Sequence, residues 1–112
     1  MPGTRDEQVA DFTLAFVRRA LRGRLAGHGR IELRRLKRNG FLIVHHYVSA
    51  WTGHDVAFPV AQLRRNGQRL VLYWKRANGR WVPYEAEDTP FAGGLNACVN
   101  EIKHDRWGCF WG

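Results

Sequence analysis

The sequence predicts an α+β fold: an N-terminal helix, a five-stranded antiparallel β-meander and a C-terminal helix, in one domain spanning 1–112. Two observations carry this. Apolar residues recur at helical spacing at both ends of the chain. Between them the pair Asn-Gly occurs three times, at 39–40, 66–67 and 78–79, each flanked by strand-forming residues. Asn-Gly is the preferred centre of a tight hairpin, because both residues tolerate positive φ.

The first helix is read from about Arg5 to Leu25. Thr4 and Glu7 have capping-box spacing, and Val9, Phe12, Phe16 and Ala20 share a face. Gly23 and Gly27 mark its end region. A second helix is read from about Pro90 to Asp105, with Asp88 or Thr89 as its cap and Leu95, Val99 and Ile102 on one face. Strands are read at 30–38, 41–50, 55–65, 68–76 and 80–85, with a further turn in "WTGHD". The tail "DRWGCFWG" is expected to pack, since an exposed Trp-Phe-Trp cluster is unusual on a monomer.

Composition narrows the function. Eighteen Lys and Arg against ten Asp and Glu give a net charge of +8, which favours polyanionic partners such as nucleic acid. The two cysteines, Cys98 and Cys109, have neither zinc-site spacing nor the number for a disulfide framework. No apolar run is long enough to span a membrane, and the first residues lack a signal-peptide core. The expectation is a cytoplasmic protein with no cofactor, no metal and no membrane partner.

Two-residue Asn-Gly turns would set the strand registers. Arg34 then falls opposite His45, Leu33 opposite His46, Arg64 opposite Arg69, and Tyr73 opposite Tyr84. Period-2 alternation sorts the side chains onto two faces. Ile31, Leu33, Leu42, Val44, His46, Val48, Ala57, Ala61, Leu63, Leu70, Leu72 and Trp74 form the expected core face under the helices. The other face carries Ile43, Phe58, Val60, Val71 and Val82 together with the candidate nucleic-acid-binding residues. These are Arg34, His45, Tyr47, Arg64, Arg69, Tyr73, Lys75 and Tyr84. Aromatic rings can stack bases and cations can hold phosphates. A solvated second face needs no function at all, and a second copy of the chain could equally cover it.

Nine of the 18 cations fall between residues 18 and 38. Arg35, Lys37 and Arg38 are expected at the same sheet edge as Arg64, Arg65 and Arg69, forming a phosphate-binding rim. The leading reading is a non-enzymatic module binding nucleic acid, single strands favoured. An assembly protein that is a homo-oligomer through the second face is the alternative. A small nuclease is the third reading, with His45 as acid or base and Arg34, Lys75 and Tyr47 near the phosphate. Adjacent His45 and His46 point to opposite faces of one strand and cannot chelate one ion as a pair.

The pieces "FPVAQLR" (58–64), "LYWKRANGRWVPY" (72–84) and the terminal "FWG" (110–112), after the helix end "EIKHD", carry a family resemblance. In combination and order, the second half, about 55–112, resembles the bacterial family known as domain of unknown function 3024. The matching positions are Phe58, Pro59, Tyr73, Trp74, Arg76, Trp81, Tyr84, Phe110, Trp111 and Gly112. The chain departs from the family's Asp-Pro-Thr-Gly stretch with "DRWGC", placing Trp107 where a smaller residue is usual, which implies a different tail packing. The resemblance implies an α+β domain and brings no activity or ligand with it.

Overall fold

The structure is a computed structural model that describes residues 4–25 and 29–111, with side chains described from residue 11 onward. The expected Thr4–Glu7 capping box, Val9, Gly27, His28 and Gly112 lie outside the described residues or side chains.

Helix α1 (Thr4–Leu21) is followed by a 3₁₀ turn at Arg22–Arg24. Four long strands come next: β1 (Arg30–Leu36), β2 (Gly40–Val48), β3 (Asp55–Asn66) and β4 (Arg69–Lys75). Then follow β5 (Trp81–Pro83), β6 (Glu85–Ala86), β7 (Thr89–Pro90), β8 (Ala92–Gly93) and helix α2 (Leu95–His104). β1 to β5 form the expected antiparallel meander in chain order, and β8 returns to pair with β4. The expected α+β architecture is therefore present, with two additions the sequence reading did not contain: the β6–β7 hairpin and strand β8.

Helix α2 starts at Leu95 with Gly94 as its N-cap, not near Pro90. The residues before it are held in strand pairings instead. Glu87 and Asp88, both at positive φ, turn the β6–β7 hairpin, and Phe91 N–H donates to Tyr84 O. Neither Asp88 nor Thr89 is a cap.

Both helices pack on one face of the sheet. The buried core there joins Val17 and Leu21 of α1, Val99 and Ile102 of α2, and Ile31, Ile43, Leu63, Leu70, Leu72 and Tyr84 from the sheet side. Arg18 Nε donates to Ile31 O at 3.0 Å, tying α1 to β1. Arg24 donates to the carbonyls of Lys103 and His104, at 2.6 and 2.8 Å, and so satisfies two otherwise open groups at the end of α2.

The turns depart from the sequence reading, and this rearranges the faces. The β1–β2 turn is the three residues Lys37–Asn39, with Arg38 (φ 59°) and Asn39 (φ 62°) left-handed. Gly40 is not a turn residue. It is the first, extended residue of β2, where a Cβ would lie 2.6 Å from Leu63 O. The glycine serves close strand approach, not positive φ. Leu33 therefore faces Ile43 and Ile31 faces His45. Relative to the two-residue expectation the pairing is displaced by an odd number, which inverts the faces of β2.

β3 contains an irregularity between the Ile43–Ala61 and Val44–Pro59 pairs, with Val60 as the extra residue. It keeps Ala61 and Leu63 facing the helices while turning Phe58 to the same side. The β3–β4 turn is Gly67–Gln68, so Arg64 faces Val71 and Arg69 faces Asn66. The expected Arg64–Arg69 like-charge pair is absent. The last hairpin loops over Ala77–Gly79 with Gly79 at φ 84°, so Tyr73 faces Pro83 instead of Tyr84.

Candidate functional site

These registers divide the eight candidate residues. Arg34, Arg64, Tyr73 and Lys75 lie on the face away from the helices, and Arg69 stands exposed at the turn beside it. His45, Tyr47 and Tyr84 do not. His45 and Tyr47 follow the inverted face of β2, and Tyr84 follows the shifted β4–β5 register into the core.

Tyr84 is 1% exposed, and its hydroxyl donates to Glu101 Oε1 at 2.7 Å. Arg106 Nε donates to the same oxygen at 2.6 Å. Burial alone would raise the Glu101 pKa, but the hydrogen bonds from Arg106 and Tyr84 outweigh it and hold the carboxyl below its usual range. Burial and the Glu101 carboxylate push the Tyr84 phenol well up. This is a buried structural network, not a base-stacking ring.

His45 is 6% exposed. Its ring lies 4.8 Å from Tyr47 and 5.7 Å from Trp111, centroid to centroid, and its Nε2 is buried without a hydrogen-bond partner. Burial first, and the neighbouring His46 second, hold its pKa below the ordinary 6.5. The nuclease constellation of His45 with Arg34 and Lys75 is thus dispersed across the sheet, because β2 alternates the other way. The neutral ring has a consequence for stability. Below about pH 6.5 the unfolded chain takes up a proton that folded His45 refuses, so stability falls as pH drops from about 6.5 towards the lowered pKa, and is level above it for this group. Urea unfolding midpoints at about pH 7 and about pH 5 should differ more for the native chain than for His45→Gln. Equal differences would show that His45 does not carry the effect.

His46, expected in the core, is the histidine of the open face. It sits directly opposite Arg30 and Ala57. Its Nε2 is 2.5 Å from Glu32 Oε1. Arg34 donates to both oxygens of the same carboxylate, at 2.9 and 3.1 Å. The bonds from Arg34 and then His46 lower the Glu32 pKa to about 2. Strand alternation was the right signal for separating the two histidines. The loop length that decides which goes where is not visible in the alternation.

At the turn end of the open face lies a groove of about 560 Å³, lined by Leu36, Lys37, Arg38, Gln62, Arg64, Arg65, Asn66, Val71 and Tyr73. Four of these are cations and none is an acid. The Arg64 guanidinium lies 3.9 Å over the centre of the Tyr73 ring, and Arg64 Nε donates to Gln62 at 2.8 Å. Arg65 Nε donates to Asn39 O at 3.3 Å, which joins the two hairpin turns. Of the expected rim residues, Lys37, Arg38, Arg64 and Arg65 meet here, Arg69 is on the adjoining strand end, and Arg35 does not line the groove. Among the described residues no three His, Cys, Asp or Glu side chains gather as metal ligands, and no helix is long and apolar enough to cross a membrane.

The fold and this face define a small α+β protein whose antiparallel sheet is covered by helices on one side and left open, with a basic groove, on the other. The chain belongs to the family described as Domain of unknown function (DUF3024), whose model matches residues 5–112. The match covers the N-terminal half as well as the second half in which the resemblance was read. No curated protein and no solved structure matches the chain.

Proposed function

We propose that this protein binds nucleic acid, preferentially single-stranded, in the groove at the turn end of the open sheet face. The observation that supports this is the groove lining: four cations, no acid, and one aromatic ring carrying a stacked guanidinium. Cations spaced along two adjacent turns suit a phosphate backbone. The Arg64–Tyr73 stack offers a flat, positively charged surface to an unpaired base, which duplex would keep within its own stack. With His45, Tyr47 and Tyr84 on the other side of the sheet, the aromatic component is Tyr73 alone. Charge therefore supplies more of the binding surface than aromatic stacking does.

The test is fluorescence anisotropy with a labelled single-stranded oligonucleotide across a salt series. Affinity should fall steeply as salt rises, because phosphate contacts release counterions. Tyr73→Ala should cost about 1–3 kcal/mol of binding, the range for loss of one stacked base. Arg64→Ala should weaken binding and flatten the salt slope. Absence of binding at low salt, or a Tyr73→Ala, Arg64→Ala double variant that binds as the native chain does, would overturn the reading.

A further inference from the structure

The open face carries a second cluster, at the end opposite the groove. A cleft of about 310 Å³ at that end takes in Arg30, His46, Val48 and Asp55 from the open face, with Tyr47 and Val56 from the strand positions between them. His46 is the centre of it. Arg30 stands directly across from it on β1, and Asp55 lies on the diagonal on β3, opposite Val48.

The ring of His46 has a defined orientation. Glu32 is held as a carboxylate, so the nitrogen facing it, Nε2, carries the proton and donates. In the neutral ring the other nitrogen, Nδ1, then keeps its lone pair. Among the described residues Nδ1 has no hydrogen-bond partner, and His46 is only partly buried and lines the cleft. A histidine fixed by a carboxylate on one nitrogen, lining a cleft with an arginine opposite, suits a general base beside an anion.

We propose that His46, positioned by Glu32, is the general base of a metal-independent cleavage of RNA bound along the open face. The proposal rests on the nucleic-acid reading above. The groove and the cleft share one strand path. Gln62 at the groove pairs with Leu42, four positions before His46 on β2, which at about 3.3 Å per residue is about 13 Å. One bound strand bridges that distance. No serine, cysteine or threonine lines the cleft; the 2′-hydroxyl of RNA is the nucleophile assigned here, and the all-deoxy strand distinguishes it from water.

In the step, His46 Nδ1 takes the 2′-hydroxyl proton as the 2′-oxygen bonds to the adjacent phosphorus. The bond from phosphorus to the 5′-oxygen breaks, and that oxygen takes a proton from water. The imidazolium gives its proton to the hydroxide so formed. The products are a 2′,3′-cyclic phosphate and a free 5′-hydroxyl. Arg30 faces the charge that develops on the phosphoryl oxygens.

The experiment incubates the full chain, in chelator, with a labelled RNA oligonucleotide and with its all-deoxy counterpart, and measures binding and cutting separately. RNA should be bound and cut to cyclic-phosphate ends, and the deoxy strand bound but uncut. His46→Ala should bind RNA with unchanged affinity and cut at least about a hundredfold more slowly, the lower range of general-base catalysis. His46→Gly should regain cutting when imidazole is added, which a structural histidine would not show. Glu32→Gln should slow cutting without weakening binding. RNA that is bound but uncut, cutting unaffected by His46→Ala, or equal cutting of the deoxy strand overturns this inference and leaves the binding reading standing. No binding of either strand at low salt overturns the binding reading itself.

Discussion

Phe110→Ala is expected to destabilise the fold by about 3–5 kcal/mol, the cost of deleting a large buried ring from a core that relaxes only in part. Phe110 lies in the tail after α2, yet it is 0% exposed. Its ring sits 5.0 Å from the Tyr84 ring, tilted at 45°, within the cluster that includes Val99 and Ile102. The tail thus closes the core between α2 and the β5 end of the sheet. The control is Trp107→Ala. Trp107 is only three residues earlier but 65% exposed, and removing it should change stability by about 0.5 kcal/mol or less. Urea unfolding of both variants separates the two roles. A Phe110→Ala loss no greater than that of Trp107→Ala would mean that the tail is not part of the core.

Asp105→Ala should cost about 3 kcal/mol, through the same tail but by a different mechanism. Asp105 ends α2 in the left-handed region at φ 44°, ψ 50°. Its Oδ1 accepts from the backbone N–H groups of Cys109 and Phe110, at 2.7 and 3.1 Å, and its Oδ2 accepts from Trp111 N–H at 3.2 Å. One carboxylate gathers three donors that the returning chain would otherwise leave without an acceptor. Hydrogen bonds to a charged group contribute about 1.5–3 kcal/mol each, and water can replace part of that at this half-buried site. Alanine also tolerates the left-handed backbone less well than Asp or Asn. Asp105→Asn should therefore fall between the native chain and Asp105→Ala. Amide hydrogen exchange reads the mechanism directly: protection at residues 109–111 should drop in Asp105→Ala before the sheet amides respond. If those amides stay protected, the carboxylate is not what holds the tail.

Glu101 and Tyr84 illustrate a residue role that the sequence hid. Glu101 sits in the acidic-basic helix end "EIKHD", which reads as solvated charge. Instead it is 8% exposed and accepts from a core phenol and from Arg106. No local pattern distinguishes that glutamate from a surface one. Tyr84 comes from "WVPY", and its partner is 17 residues away on another element. The tryptophans show the converse. Trp74 and Trp111 pack against the core as expected, while Trp51 stands 98% exposed in the β2–β3 turn.

The order helix, five-stranded meander, helix and the cation-rich turns were legible along the chain; the β6–β7 hairpin, β8 and the start of α2 at Leu95 were not. These depend on properties that neighbouring residues carry together: period 3.6 or 2, glycine at bends, and clusters of like charge. The basic groove was legible for the same reason, since Lys37, Arg38, Arg64 and Arg65 flank two hairpin turns that any antiparallel meander puts at one end. Which face each strand shows to the helices was not legible. Alternation within a strand is strict, but its phase is set by the residue count of each loop and by bulges. One residue more at Lys37–Asn39 or Ala77–Gly79 inverts the strand that follows, and the extra Val60 in β3 restores the phase so that Ala61 and Leu63 stay under the helices. Those counts follow from packing, such as Gly40 held against Leu63 O and Tyr84 reaching Glu101. So "HH" at 45–46 divides across the sheet as alternation requires, but the packing of the whole domain puts His45 under the helices and His46 in the open.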